Sequence, residues 1–188
     1  MSISSTRSST SAIAPEFALL GLLSIQPAHG YELARRLKES LGSVWHINLN
    51  QLYNLLKRLE QQGYLIGETE TQEKLPARRC FRLSPSGQQR FETWLQTPTG
   101  CSVRAIRLEF TTRLYFAMQR DAEFANRLID EQAAAVLSGI NQLTKALGHI
   151  PTEQSFNRLG IELRIRQLSS ILDWLEHCRE ALNLKRNS

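Results

Sequence analysis

From Leu49 to Gly63 the chain reads LNQLYNLLKRLEQQG, with Leu49, Leu52, Leu56 and Leu59 at intervals of three and four. That spacing puts them on one face of a helix turning about every 3.6 residues, and Leu55 widens the stripe. The opposite side carries Asn50, Gln51, Asn54, Lys57, Arg58 and Gln61, amides first and cations behind. Amides and cations are the side chains that read base edges and hold phosphates, although any amphipathic helix with a solvated polar face shows the same alternation. The sequence after the helix tips that balance. Gly63 stops it, an apolar β-like run begins at Tyr64 and continues to Thr71, a polar and basic turn occupies Gln72 to Arg79, and Cys80 to Leu83 returns. Helix, strand, basic turn, strand is the order of a winged helix.

The preceding stretches supply the other helices. Pro15 suits a helix N-terminus, and Glu16 to Ile25 is apolar nearly all round, as a helix at the centre of a small domain would be. Pro27 ends it. From His29 to Gly42, Leu33, Leu37 and Leu41 share one face while Arg35, Arg36, Lys38 and Glu39 occupy others, which predicts a second, amphipathic helix. The short connection to Leu49 holds Trp45, placed to wedge between helices, and Asn48 as N-cap.

Two helices in this order form a helix-turn-helix, whose second helix enters the major groove N-terminus first. Asn50, Gln51 and Asn54 then face bases, while Lys57 and Arg58, further back, face phosphates. Tyr53, at the margin of the stripe, serves equally as core ring or as a hydroxyl reaching a phosphate. In the wing, Lys74, Arg78 and Arg79 bracket Pro76 and bring two or three cations to the backbone or minor groove. A polar hairpin tip alone would look the same; Arg78, entering the returning strand, is the best placed of the three. Ser84, followed by Pro-Ser-Gly, caps a further helix ending near Thr97.

Beyond the Pro- and Gly-containing loop Thr97 to Ser102 the composition changes. Three helical stretches follow, Val103 to Gln119, Asp121 to Gly148 and Thr152 to about Lys185. In the last, Ile161, Leu168, Leu175 and Leu182 recur every seven residues with Ile171 and Cys178 between them, and Ile165 and Leu172 broaden the seam. A seam of that width needs a partner helix, in the same chain or in another. Trp45, Trp94, Phe110, Tyr115 and Phe116 gather near the junction of the halves, where core packing is the favoured use and a ligand pocket the other.

Bulk properties narrow the function classes. With 188 residues, 41% hydrophobic, the chain can bury one good core or two small ones, and a net charge of +5 with pI near 9.4 leans toward an anionic partner. Cys80, Cys101 and Cys178 are far apart and show no metal-site spacing, which suits a reducing cytoplasmic setting; redox sensing through Cys80 or Cys101 is a minor reading. Residues 1–14 read as a flexible tail without a signal-peptide core, and no stretch has the ~20 apolar residues of a membrane span. The sequence contains no GxSxG, GxGxxG, Walker or HExxH pattern, and its four histidines are dispersed, so neither an enzyme nor a metal or organic cofactor is expected.

Several segments occur together in one order: Ala18 to Ser24 (ALLGLLS), His29 to Leu33 (HGYEL), Gly42 with Trp45, Gln51 to Gly63, Pro76 to Arg79 (PARR), and Leu83 to Gly87 (LSPSG) with Trp94-Leu95. Over Phe17 to Leu95 the chain resembles the PadR family of transcriptional regulators. The resemblance implies a mainly α protein with an N-terminal winged helix-turn-helix domain (15–97) carrying a small β-hairpin wing, and an all-α dimerisation domain (103–186). It further implies a homodimer on double-stranded DNA, usually a repressor released by a small-molecule effector. Matched by position, Asn50, Gln51, Tyr53, Asn54, Lys57, Arg78 and Arg79 become DNA contacts, and the C-terminal seam faces a second chain, with Arg164 as an inter-subunit pairing group. The helix start, Asn48-Leu49-Asn50-Gln51, departs from the family's usual Ser or Thr with a small residue, which leaves the half-site sequence open. Two classes follow: a dimeric DNA-binding regulator reading an inverted repeat, or a protein-interaction adaptor using the same helices without DNA.

Overall fold

The computed structural model describes residues 15–72 and 75–184; the tail 1–14 and the end of the chain from Lys185 lie outside them. Helix α1 (Glu16–Ile25) follows Pro15, and its residues from Ala18 to Leu23 are all buried, as an all-round apolar helix requires. Strand β1 (Ala28–His29) comes next, so His29, expected in the following helix, is extended. Ala28 pairs with Phe81 and His29 with Cys80. That pairing is non-local, and helical periodicity carries no trace of it.

Helix α2 (Gly30–Leu41) buries Leu33, Leu37 and Leu41, and α3 (Leu49–Gln61) buries Leu52, Leu56 and Leu59. Each such leucine contributes about 1.5–3 kcal/mol of transfer free energy. Leu49, expected in the stripe, sits at the first turn and stays 43% exposed. Gly63, at φ 77°, turns the chain out of α3 in a conformation that a side chain would oppose.

The wing is longer in strand than its sequence suggests. Strands β2 (Leu65–Gln72) and β3 (Leu75–Leu83) pair antiparallel from Leu65 opposite Leu83 to Gln72 opposite Leu75, with an irregularity between Glu70 and Gln72. Leu75 to Arg79, read from sequence as turn, is therefore strand. Pro76 falls at the irregular end of the ladder, between the Gln72–Leu75 and Glu70–Arg78 pairs, and β1 pairs with β3 only at Cys80 and Phe81. Helix α4 (Pro85–Gln96) begins at the Ser84 cap, whose hydroxyl accepts from the Gly87 amide at 3.0 Å.

The second half opens with one rod: α5 (Val103–Ala105), a π-helical segment Ile106–Phe110, and α6 (Thr111–Met118). Helices α7 (Ala122–His149) and α8 (Ser155–Ala181) pack against each other. Two apolar clusters result, and the rod feeds both. Phe116 belongs to the core formed by α1 to α4 and the three-stranded sheet, whereas Ile106, Phe110, Leu114 and Ala117 belong to the one closed by α7 and α8. The packing boundary thus runs along a helix and not through the loop 97–102.

The apolar seam of α8 is partly satisfied inside the chain. Leu168, Leu175 and Cys178 are buried in the cluster with α7, Ile161, Ile171 and Leu172 are half-buried, and Leu182 lies just beyond the helix, 37% exposed. Heptad spacing specifies that a helix must cover these positions; it does not specify whose. The expected junction aromatics are packing elements. Trp94 stacks on Phe17 with centroids 4.6 Å apart, Phe116 meets Phe91 edge-on at 5.3 Å, and Phe110 meets Trp174 at 6.1 Å.

Candidate nucleic-acid interface

The outward face of α3 is set by its cap. The Asn48 side chain accepts from the Gln51 amide at 2.9 Å, and the Gln51 side chain accepts from the Asn48 amide at 2.9 Å, a reciprocal capping box. This fixes the helix start and occupies the Gln51 acceptor. Asn50, Asn54 and Lys57 are exposed, with no hydrogen bond or ion pair to the described residues. Tyr53 is 44% exposed, its ring against Gly30, where an added Cβ would lie 2.5 Å from the ring edge. The ring is thus a spacer between α2 and α3 that keeps part of its surface toward solvent.

Two of the other expected cations, Arg58 and Arg79, are already committed within the chain. Arg58 donates to Glu16 Oε2 at 3.0 Å, and Arg90 donates to Glu16 Oε1 at 2.6 Å and to the Tyr64 hydroxyl at 2.9 Å. Burial works against the Arg90 charge, but the Glu16 hydrogen bond and charge outweigh it, and its pKa stands above the ordinary value. Glu16 therefore ties α3 and α4 to α1. Arg79 donates to Glu60 Oε1 at 2.6 Å and lies 5.6 Å over the Phe81 ring. Lys74 and the side chain of Arg78 fall outside the described residues; the Arg78 backbone pairs with Glu70. Between α3 and the wing, Tyr53, Asn54, Lys57, Glu60, Arg79 and Phe81 line an open concavity of about 420 Å³.

This face is joined to the second half at the turn before α3. Trp45 Nε1 donates to Thr112 Oγ1 at 2.8 Å, and the Thr112 hydroxyl in turn donates to the Leu108 carbonyl at 2.6 Å. The Tyr115 hydroxyl donates to Ser40 Oγ at 3.1 Å. The residue after Thr112, Arg113, is 2% exposed, bonded to the Thr99 hydroxyl and 4.7 Å over the Trp94 ring; burial lowers its pKa to about 10, with Glu109 at 3.9 Å acting in the other direction.

Sequence reasoning identified the presenting helix and its exposed amides. It did not identify Glu16 and Glu60 as the groups that sequester Arg58 and Arg79, although Glu60 is the lone carboxylate on an otherwise amide-rich and basic helix. It also did not single out Phe156, Leu159 and Leu163, spaced on one face of α8 and 89%, 58% and 57% exposed. Among the described residues no cluster of His, Cys, Asp and Glu could hold a metal ion, and no helix is long and apolar enough to cross a membrane.

Residues 19–93 match the family model described as "Transcriptional regulator PadR-like family", and residues 106–183 match "Virulence activator alpha C-term". The chain is 28% identical over 117 residues to the negative transcriptional regulator PadR of Bacillus subtilis; the alignment covers 62% of this chain and 64% of that protein. It is 27% identical over 184 residues to a probable transcriptional regulator of Mycobacterium tuberculosis, covering 90% of this chain and 97% of that one. Among solved structures it is similar to the Bacillus subtilis PadR crystallised with operator DNA, at 23% identity and TM-score 0.43 over 89% of this chain and 98% of that one.

Proposed function

Through residues 19–93 this chain belongs to the transcriptional regulator PadR-like family, and from that premise we propose that it is a homodimeric repressor reading an inverted-repeat operator. The family is one of transcriptional regulators, not enzymes. The observation that carries the reading is the outward face of α3. Asn50, Asn54 and Lys57 are exposed and unengaged, on a helix whose start is locked by a capping box and whose back is buried. Amides in the leading half suit base edges, and Lys57 behind them suits a phosphate. Arg78 and Lys74 at the wing add backbone contacts. Gln51, Arg58 and Arg79 have internal partners, so their share in binding is secondary.

Repression follows the function named for the Bacillus relative. A two-fold dimer would set two α3 helices about 34–36 Å apart, one turn of the duplex. The exposed apolar face of α8 and the half-buried Ile161, Ile171 and Leu172 are the surface offered to the second chain. A small-molecule effector would relieve repression by favouring a shape in which the two α3 helices miss that spacing, and the Trp45–Thr112 link is the route by which the second half holds the turn before α3. The protein would act on DNA in the cytoplasm.

The test is gel-shift binding to DNA upstream of this protein's own reading frame, across a salt series. Wild type should bind saturably and lose affinity steeply with salt. Asn50→Ala with Asn54→Ala should weaken specific binding by about 1–3 kcal/mol for each base left unread, while the dimer stays intact. Equal, weak binding of both proteins to operator and random DNA would reject the reading in favour of a protein-binding adaptor.

A further inference from the structure

Glu60 sits on α3 but faces the wing. Its Oε1 accepts from the Gly67 amide of β2 at 3.1 Å and from Arg79 of β3 at 2.6 Å, so one carboxylate oxygen holds both strands of the hairpin. The side chain is 22% exposed. Gly67 is opposite Phe81, a core residue, and Arg79 lies over the same Phe81 ring. A Cβ at Gly67 would lie 2.6 Å from Glu60 Oε1 and 2.7 Å from Arg79 Nε, so a side chain there would push the carboxylate and the guanidinium out of their present contact. Glycine at 67, a carboxylate at 60 and a guanidinium at 79 therefore form one interlocked contact between the helix and the hairpin.

We propose that Glu60 is the positioning residue that sets the wing against the recognition helix, with Arg79 as its strut and not a phosphate contact. The binding consequence rests on the DNA-binding reading given above. Hairpins are soft, because two strands without a core on both faces are only marginally stable. A wing held before DNA arrives spares the ordering cost at binding. Arg79, with a carboxylate at 2.6 Å, has its charge locally balanced, so transferring it to a phosphate would leave Glu60 facing a polyanion without its cation.

The sign of the effect separates this role from simple electrostatics. Removing a negative charge beside DNA should, by Coulomb attraction alone, tighten binding and steepen its salt dependence by about 0.9 for each additional phosphate neutralised. The clamp predicts the reverse for Glu60→Ala: binding about tenfold weaker at every salt concentration, with the salt slope unchanged. Glu60→Gln keeps an acceptor for the Gly67 amide and should retain most of the affinity. Gly67→Ala, which leaves every charge in place, should reproduce the loss. Lys57→Gln should instead lower the slope by about 0.9 per protomer.

The experiment is operator binding in a salt series for these variants, combined with amide exchange of the free proteins across residues 65–83. Faster wing exchange and weaker binding at constant slope in Glu60→Ala and Gly67→Ala is the expected result. Tighter or unchanged binding in Glu60→Ala, a slope steeper by about 0.9, or unchanged wing exchange would overturn the proposal. Absence of operator binding by wild type would overturn the DNA reading instead, and wing exchange in the free protein would then decide the clamp by itself.

Discussion

Trp45 and Thr112 are 67 residues apart in sequence, yet the indole Nε1 donates to the threonine hydroxyl at 2.8 Å. Trp45 belongs to the turn that delivers α3, and Thr112, fully buried, to the rod shared by both cores. The contact ties the placement of α3 to the helical half of the chain. Because the Thr112 hydroxyl also donates to the Leu108 carbonyl, it acts here as both acceptor and donor.

Replacing Thr112 with Val leaves the indole N–H without its acceptor and should cost about 1–3 kcal/mol. Trp45→Phe should cost a similar amount through poorer packing and the missing hydrogen bond. The double substitution should cost less than the sum, since either change alone already breaks the pair. Urea midpoints at constant m-value measure this. Strict additivity would mean that the two residues are not coupled.

Gly21 admits the Phe116 ring into the first core. An added Cβ would fall 2.2 Å from Phe116 Cζ, inside contact distance of a ring that is itself 3% exposed. Gly21→Ala should therefore destabilise by about 1–3 kcal/mol, against the usual gain from alanine in a helix. Adding Phe116→Leu should recover part of the loss, read as the shift in thermal midpoint. A gain in stability from Gly21→Ala alone would contradict the packing described.

On α8, Phe156, Leu159 and Leu163 present an apolar face to solvent in the single chain. If this face meets a second copy, Leu163→Glu should shift the protein from dimer to monomer in sedimentation, without loss of helix content, and should weaken operator binding because the second half-site goes unread. Leu175→Ala, by contrast, opens a cavity inside the chain and should cost about 2–5 kcal/mol of stability. An unchanged sedimentation coefficient for Leu163→Glu would place the interface elsewhere.

Burial pushes the Cys178 thiol up to about 11 from an ordinary value of 9.0. The sign follows from proton counting. Between pH 9 and 11 the unfolded chain ionises its thiol while the folded chain retains the proton, so stability falls as pH rises through that window and is unaffected by this group below it. Cys178→Val should remove that component when denaturation midpoints at about pH 8 and about pH 10.5 are compared. In native protein at about pH 8, Cys178 should resist thiol reagents; labelling as fast as an unfolded chain would show the site to be open.

The sequence by itself determined every helix of this fold to within a few residues, the presence of two wing strands though not the extent of β3, and the amide-rich, basic outward face of α3. Those features rest on local rules: apolar residues at intervals of three and four, Pro and Gly at ends, Asn48 and Ser84 as caps. Asn50, Asn54 and Lys57 were legible as outward residues because a helix wheel alone places them opposite Leu52, Leu56 and Leu59. Tertiary structure decided which polar groups are spent internally. Glu16 takes Arg58 and Arg90, and Glu60 takes Arg79, through contacts between residues 19 to 74 positions apart that no periodicity encodes. It decided, too, that Ala28 and His29 are strand, that one rod serves both cores, and that α7 covers Leu168, Leu175 and Cys178. A hydrophobic pattern states that a face must be buried; only the assembled chain fixes the neighbour that buries it.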